Sequence, residues 1–418
     1  MPHRVIHHHD ATRPLRRHIG IEFRMLPLSD LKVLEMGQLI AGPFCAKTLA
    51  DFGAQVIKLE PPEGGDPLRN WRVMRNDVSL WWHVQSRNKQ SVAVDLRQPE
   101  GQAIARQLAT HADILIENFS PGTLEKWGMD YESLSKDNPG LIMVRISGFG
   151  QTGPYRKNPG FGVIGEAMGG LRYLSGEPGR KPVRVGISIG DTLAALHAVV
   201  GIFAALEARR KTGKGQVVDV ALSESVFNVM ESLLPEYCQA GIVREPAGSA
   251  LPGITPSNAY SCQDGLVLIA GNGDGIYRRL METIGREDLR DDPDLANNAG
   301  RAKQADRIDG AIGEFTAERT VADVIALLEA ARVPVGRVYT AKDIAEDPQY
   351  QAREMLIQTT AYDGEPLTQP GIVPKLSATP GQIVNRAPTI GEHTDQVLKE
   401  AGFDEATLAE LRQKGIIK

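Results

Sequence analysis

The chain has 418 residues, a formal charge of -5 and ordinary shares of apolar and charged residues, as expected of a soluble globular protein of two or more domains. No basic surface for nucleic acid and no polybasic membrane patch is expected, and no apolar run is read as long enough to cross a bilayer. Cys45, Cys238 and Cys262 lie far apart, with neither disulfide nor metal spacing, which fits a reducing cytoplasm.

Residues 1–25 hold His3, His7, His8, His9 and His18 and few acids. A His-rich tract can bind metal, but this stretch reads as a disordered or over-long extension, and the fold is expected to start near Met25. Residues 31–37 read as a buried strand. Residues 41–53 read as a helix, with Pro43 in its first turn and Gly53 at its end, and residues 55–60 as a second strand. That is a βαβ unit, so the strands should be parallel. The pattern repeats with a strand at 91–96, a helix at 99–112, a strand at 113–119, a short helix at 131–136 and a strand at 141–147. Alternation of this kind predicts a doubly wound α/β sheet, Rossmann-like in outline. The first turn, Gly37 to Gly42, lacks the Gly-x-Gly-x-x-Gly fingerprint, so a nicotinamide cofactor is not implied. Ligands should still gather at the carboxyl ends of the strands.

The stretch 182–215 is the most informative. Val183, Val185, Ile187 and Ile189 alternate as in a strand. A long apolar helix follows, closed by a basic last turn and Gly213. Between them stands Asp191, preceded by Gly190, which lets another group approach the backbone closely. Asp191 has two compatible readings. One is an N-cap accepting the first free N–H groups of the helix. The other is a nucleophile kept ionised by the helix dipole.

Beyond it, residues 217–222 read as a strand, 223–236 as a helix and 242–256 as a Pro/Gly-rich linker. Residues 258–262 and 266–270 form a hairpin pattern, followed by helices at 276–285, 305–316 and 321–331. The expected organisation is a large domain over 26–241, a linker over 242–256, a small α+β domain over 257–336, and a return linker and C-terminal segment over 337–418 packing on the large domain. A last helix is placed at 404–414.

Other motifs are weaker. The Gly-rich turn 271–275 is either a phosphate cradle or a tight turn, and 211–215 reads as a helix end rather than a P-loop. Lys58, Arg69, Lys89, Arg97 and Lys126 offer a positive side suited to a nucleotide diphosphate. His83, His111, His197 and His393 have no ligand or triad spacing, so a metal or serine hydrolase is disfavoured.

Taken together, Ala41-Gly-Pro43, the run from Gly53 to Glu60, Asn88-Lys89, Glu117 to Gly122, Ile146 to Pro154, Gly190-Asp191, Lys211 to Gly215, Val333 to Gly336 and Gly391 to Thr394 resemble the class III CoA-transferases. The likeness runs from about Leu28 to the C-terminus. It implies a homodimer of interlocked chains, with a Rossmann-like large domain, a small domain and long linkers. It implies Asp191 as the catalytic nucleophile. It also implies CoA contacts at Ile40, Ala41, Val94, Asp95, Leu96, Arg97, Asn118, Phe119, Ser120, Lys126, Pro159, Gly160, Phe161 and Gly162. No cofactor is permanently bound and no metal is needed; coenzyme A and acyl-CoA are substrates, and a carboxylic acid, short-chain or dicarboxylic, is the acceptor. The implied chemistry passes through an aspartyl anhydride and an aspartyl-CoA thioester. The sequence departs from the pattern at Gly162 and Glu166. An acyl-CoA isomerase or racemase on the same scaffold is an alternative, although Phe161 stands where the racemases carry a His and cannot move a proton. A CoA-ester-binding protein without catalysis is another.

Overall fold

The computed structural model describes residues 26–418; the N-terminal extension expected over 1–25 lies outside the described residues. Six strands form the main sheet: β1 (Lys32–Glu35), β2 (Gln55–Glu60), β3 (Lys89–Ala93), β4 (Ile114–Glu117), β5 (Ile142–Ser147) and β6 (Val217–Ala221). Their order is β3-β2-β1-β4-β5-β6, and every pairing is parallel. The order reverses between β1 and β4, which opens a crevice at the carboxyl ends of those two strands.

The strands are buried on both faces because alternate side chains point to opposite layers. Val33, Val56, Ile114, Ile116, Ile142 and Val144 face a layer built by α1 (Ala41–Asp51) and a long helix, α4 (Ile189–Thr212). Leu34, Leu59, Val92, Leu115 and Met143 face the opposite layer. That layer holds α2 (Pro99–Thr110) and two C-terminal helices, Thr394–Glu400 and Glu405–Gln413. The C-terminal segment is tied to β3. Ala93 N–H donates to Thr394 Oγ1 at 3.1 Å, Asp95 N–H to Ile416 O at 2.8 Å, and Val94 bridges Ile417.

A separate core, including Tyr260, Val267, Tyr277, Ile312 and Leu328, lies within residues 260–333. It is built on an antiparallel sheet of Ser257–Cys262, Gly265–Ala270 and Val335–Arg337. The third of these strands was not anticipated, nor was the hairpin Leu356–Thr360/Pro366–Pro370. Both are short, and their pairing partners are distant or Pro-flanked.

Three expectations are corrected. Residues 183–189 form no strand; Val183, Val185 and Ile187 are exposed, and alternation without a neighbouring strand leaves nothing to pair with. The helix expected over 223–236 is two, Leu222–Phe227 and Leu233–Ala240. Glu231, at φ 54, reverses the chain between them, and Pro235 is tolerated because it lies in the first turn of the second. Finally, α4 is 24 residues long and an 18-residue stretch of it has mean hydropathy 1.8, so among the described residues one helix is by length and composition long and apolar enough to cross a bilayer. It lies instead along the sheet, burying Ala194, Ala195, Ala198, Ile202 and Ala205. Small residues on that face let its backbone approach the strands, while Leu196, Val200 and Phe203 face outward.

The carboxyl edge of the sheet is pinned by a buried ionic network. Glu35 takes Lys58 Nζ at 2.9 Å and Lys89 Nζ at 2.7 Å, and Lys58 also meets Asp66 at 2.8 Å. The two lysines donate to Gly37 O and Pro43 O, each at 2.8 Å. Both ends of the loop between β1 and α1 are therefore held from below. Burial lowers Lys89 to about 8, against the pull of Glu35. Burial also opposes Lys58, but Asp66, Glu35 and Glu60 outweigh it and raise its pKa. Glu35→Ala leaves two buried ammonium groups short of a counter-charge. It should cost about 3–5 kcal/mol, read as a lower urea midpoint at unchanged slope. A loss no larger than that of a surface substitution would show that the network is not what holds the loop.

Candidate active site

The site builds from helix α4. Its far end is tied to the amino edge of the sheet: Arg209 pairs with Asp113 at 2.9 Å and Gly215 N–H donates to Pro139 O at 2.8 Å. The helix is roughly 36 Å long at 1.5 Å per residue, so its first turn stands at the carboxyl edge, where the crevice opens.

Asp191 is in that first turn but is not the N-cap. The helix begins at Ile189, Ser188 occupies the cap position, and no side chain caps it. Among backbone N–H groups the carboxyl engages its own, and it does not cap the helix. Its place depends on α3 (Gly162–Met168). A Cβ at residue 162 would stand 2.0 Å from Asp191 Oδ2, and one at residue 190 would stand 2.8 Å from Gly162 O. Two glycines therefore let the helices touch, and Gly190's close neighbour is its own chain. One turn after Gly162, Glu166 is buried beside Asp191. Its Oε2 accepts from Arg172 at 2.9 Å, and its Oε1 lies 3.6 Å from Arg184 and has no hydrogen bond.

These neighbours set the electrostatics. Burial, then the Glu166 charge, push Asp191 up to about 6; its own backbone N–H and then Arg184 pull the other way. The expectation that the helix dipole keeps Asp191 ionised is corrected in degree. A helix terminus supplies about 0.3–1 kcal/mol, less than one pKa unit, and burial exceeds it. At neutral pH Asp191 is nevertheless a carboxylate, destabilised and therefore reactive.

The other anticipated residues follow the carboxyl ends of parallel strands, so they share one edge of the sheet. Ile40 and Ala41 are buried at the start of α1, after β1. Asn118, after β4, accepts from Gln38 N–H at 2.8 Å and donates to Gln38 O at 2.9 Å, closing the crevice floor. Leu39, beside it, has φ 64, a costly conformation for a bulky residue, and its N–H is taken by Asp66 at 3.1 Å. Phe119 packs edge-on to Trp127 at 5.3 Å, and Ser120 and Lys126 are exposed nearby in the chain. Val94 to Arg97 follow β3, where Asp95 binds the Arg97 guanidinium at 2.8 and 2.9 Å. Pro159 to Gly162 end the excursion that follows β5, with Gly160 held close against Gly148 and Phe161 exposed. β3 and β5 are four strand spacings apart, roughly 19 Å, so these residues suit an elongated ligand rather than a compact one.

The expected positive side is smaller than its sequence suggests. Lys58, Lys89 and Arg69 are buried, the last paired with Glu60 at 2.6 Å, leaving Arg97 and Lys126 at the surface. The Gly-rich turn 271–275 is closed by buried Arg301, which donates to Asn272 O and Asp274 Oδ1, each at 2.7 Å. Arg301 thus occupies two of its acceptors from below, as a structural turn requires, while Asn272 and Asp274 stay exposed. Among the described residues no group of three or more His, Cys, Asp or Glu is placed to hold a metal. Arg172 and Arg184 were not anticipated. Arg184's position seven residues before Asp191 was the only local signal.

A family model described as CoA-transferase family III matches residues 28–394. The succinyl-CoA–D-citramalate CoA-transferase of Chloroflexus aurantiacus is 46% identical over 94% of this chain and 98% of its own. The beta subunit of succinyl-CoA–L-malate CoA-transferase from the same organism is 40% identical over 94% and 98%. Among solved structures, a CAIB/BAIF family protein from Brucella suis superposes with a TM-score of 0.79 at 35% identity, covering 90% of this chain and 99% of that one.

The raised pKa of Asp191 has a stability consequence. An acid whose folded pKa exceeds its unfolded value favours the fold fully below the unfolded value, and that contribution is lost as pH rises through the folded one. For Asp191 the window runs from 3.8 to about 6. Asp191→Asn removes the buried charge and should stabilise the protein at neutral pH by about 1–2 kcal/mol, discounted for partial solvation. The gain should shrink toward zero near pH 4. Melting curves of both proteins across that range check it; an equal gain at every pH would rule out burial of the charge as its source.

Proposed function

This chain belongs to CoA-transferase family III, and from that premise we propose that it moves CoA from an acyl-CoA donor to a carboxylic acid through Asp191. The observation that carries the assignment is the partly buried carboxylate in the first turn of α4, outside the cap position and sharing the carboxyl edge of the sheet with Ile40, Ala41 and Asn118. An Asp191 oxygen attacks the thioester carbonyl, the C–S bond breaks, and CoA thiolate leaves an aspartyl–acyl anhydride. The thiolate then attacks Cγ of Asp191, and the donor acid departs as carboxylate from an aspartyl-CoA thioester. The acceptor carboxylate attacks that thioester, and the same two steps in reverse deliver a new acyl-CoA. Every bond made replaces one of similar energy, so no nucleotide triphosphate is consumed. Burial around Asp191 keeps water from the two activated intermediates. The donor we assign is succinyl-CoA and the acceptor a small dicarboxylate, supported by the citramalate and malate enzymes to which the chain is similar.

The working unit we propose is a homodimer of interlocked chains. Its support is the apolar surface left open around the site. On α4, Leu196, Val200 and Phe203 are 45%, 67% and 47% exposed along one helical face, and Val183, Val185 and Ile187 are uncovered beside it in sequence. A continuous apolar face of this kind is rarely left to water.

Incubation with succinyl-CoA should leave a CoA adduct on the Asp191 peptide, visible by mass spectrometry. Its rate should rise through about pH 6 as Asp191 ionises. Asp191→Ala should lose both adduct and turnover by roughly 10³-fold or more; undiminished transfer by that variant would end the assignment. Light scattering should give twice the 45.4 kDa of one chain, and a particle of single-chain mass would dispose of the dimer.

A further inference from the structure

The transfer chemistry uses Asp191 and assigns no substrate contact to Arg184. We propose that the Arg184 guanidinium anchors the free distal carboxylate of a dicarboxyl-acyl group and so sets the enzyme's preference for dicarboxylic over monocarboxylic acyl-CoA. This rests on the transferase reading and names the substrate class of the same site.

Four observations carry it. First, the Arg184 side chain is 47% exposed and makes only a 3.6 Å ion pair with Glu166 Oε1. Among the described residues it makes no hydrogen bond, so its planar fork of donors is free. Second, Arg184 is the weaker partner of Glu166. Arg172 donates to Glu166 Oε2 at 2.9 Å, whereas Arg184 stands 3.6 Å from Oε1 and makes no hydrogen bond to it. Third, the backbone beside Arg184 is held, since Val183 N–H donates to Ser175 O at 2.9 Å, whereas residues 181–186 belong to no helix or strand. A fixed root with a free head lets the guanidinium turn from Glu166 to a ligand. Fourth, the acid it pairs with, Glu166, stands on α3 one turn from Gly162, where Asp191 packs against that helix, so Arg184 reaches the nucleophile's surroundings.

The chemistry fits the geometry. A guanidinium binds a carboxylate through two parallel N–H···O bonds. The entering carboxylate would replace Glu166 as the partner of Arg184, while Glu166 keeps Arg172. A four-carbon diacid bound to CoA then has one end at Arg184 and its thioester carbonyl at Asp191. Donor and acceptor acids occupy this place in turn, so one anchor serves both half-reactions. A monocarboxylic acyl chain of the same length puts a methyl group against the guanidinium, which strips water from the charge and returns nothing.

The test isolates the first half-reaction. Full-length protein is mixed at about pH 8, above the Asp191 value of about 6, with succinyl-CoA or butyryl-CoA, and the rate of CoA adduct formation on Asp191 is followed. Wild type should prefer succinyl-CoA. Arg184→Met should lower the succinyl-CoA rate by roughly 10- to 150-fold, the weight of hydrogen bonds to a charged group, and lower the butyryl-CoA rate far less, that smaller effect being the loss of its charge near Asp191. Arg184→Lys should restore part of the loss. Equal losses with both donors would overturn the proposal, because a merely structural role predicts that pattern. An unchanged succinyl-CoA rate would overturn it too, placing the anchor elsewhere. A wild type that forms no adduct from either donor sinks the transferase reading itself, an outcome distinct from those two.

Discussion

Glu35 sits at the end of the first strand with no access to water and two lysines on its carboxylate. Charges so buried are tolerated only when paired, and here each lysine has a second duty. Lys58 holds the carbonyl of Gly37 and Lys89 that of Pro43. The loop between them is the mouth of the crevice where the strand order reverses. A sheet of this topology has a ligand edge by construction, but the loop that lines it keeps its shape, strained Leu39 included, because the ionic network leaves it nowhere to relax. Asn118 completes the clamp from the neighbouring strand.

Against that rigid edge the first turn of α4 brings a carboxyl that the fold destabilises on purpose. Gly162 and Gly190 permit a contact between helices too close for any side chain at either position. The contact removes water from Asp191 and places Glu166 beside it. The same feature costs stability and supplies reactivity, a trade typical of catalytic groups. Arg172 and Arg184 keep two neighbouring acids from being prohibitive. Their unequal engagement, one firmly bonded and one loosely paired, is what separates a structural partner from a group free to meet substrate.

Helix α4 also bears on the proposed dimer. Its alanine face packs on the sheet, and Leu196, Val200 and Phe203 stand exposed on the opposite face. In a water-exposed monomer that second face is a liability. Covered by a second copy of the chain, it would close the surroundings of Asp191 and exclude water from the anhydride.

Much of this was legible in the residues themselves. β2 and the start of α1 fall where apolar spacing, Pro43 and Gly53 put them, because those signals act within one or two turns of chain. The step from Gly190 to Asp191 before a long apolar helix was equally local. What residues cannot declare is whom they meet. Alternation at 183–189 promised a strand, yet no strand was there to pair with. Lys58 and Lys89 looked like ligand-facing charges until folding set them on Glu35, 23 and 54 positions away along the chain. Glu166 on α3, Arg172 on the short helix Leu171–Leu174 and Arg184 in irregular chain gather beside Asp191 only through the packing of α3 on α4. Chain order determined the elements and the nucleophile candidate; burial and long-range pairing, which arise only when distant segments share one volume, decided its pKa, its neighbours and which charges remain free.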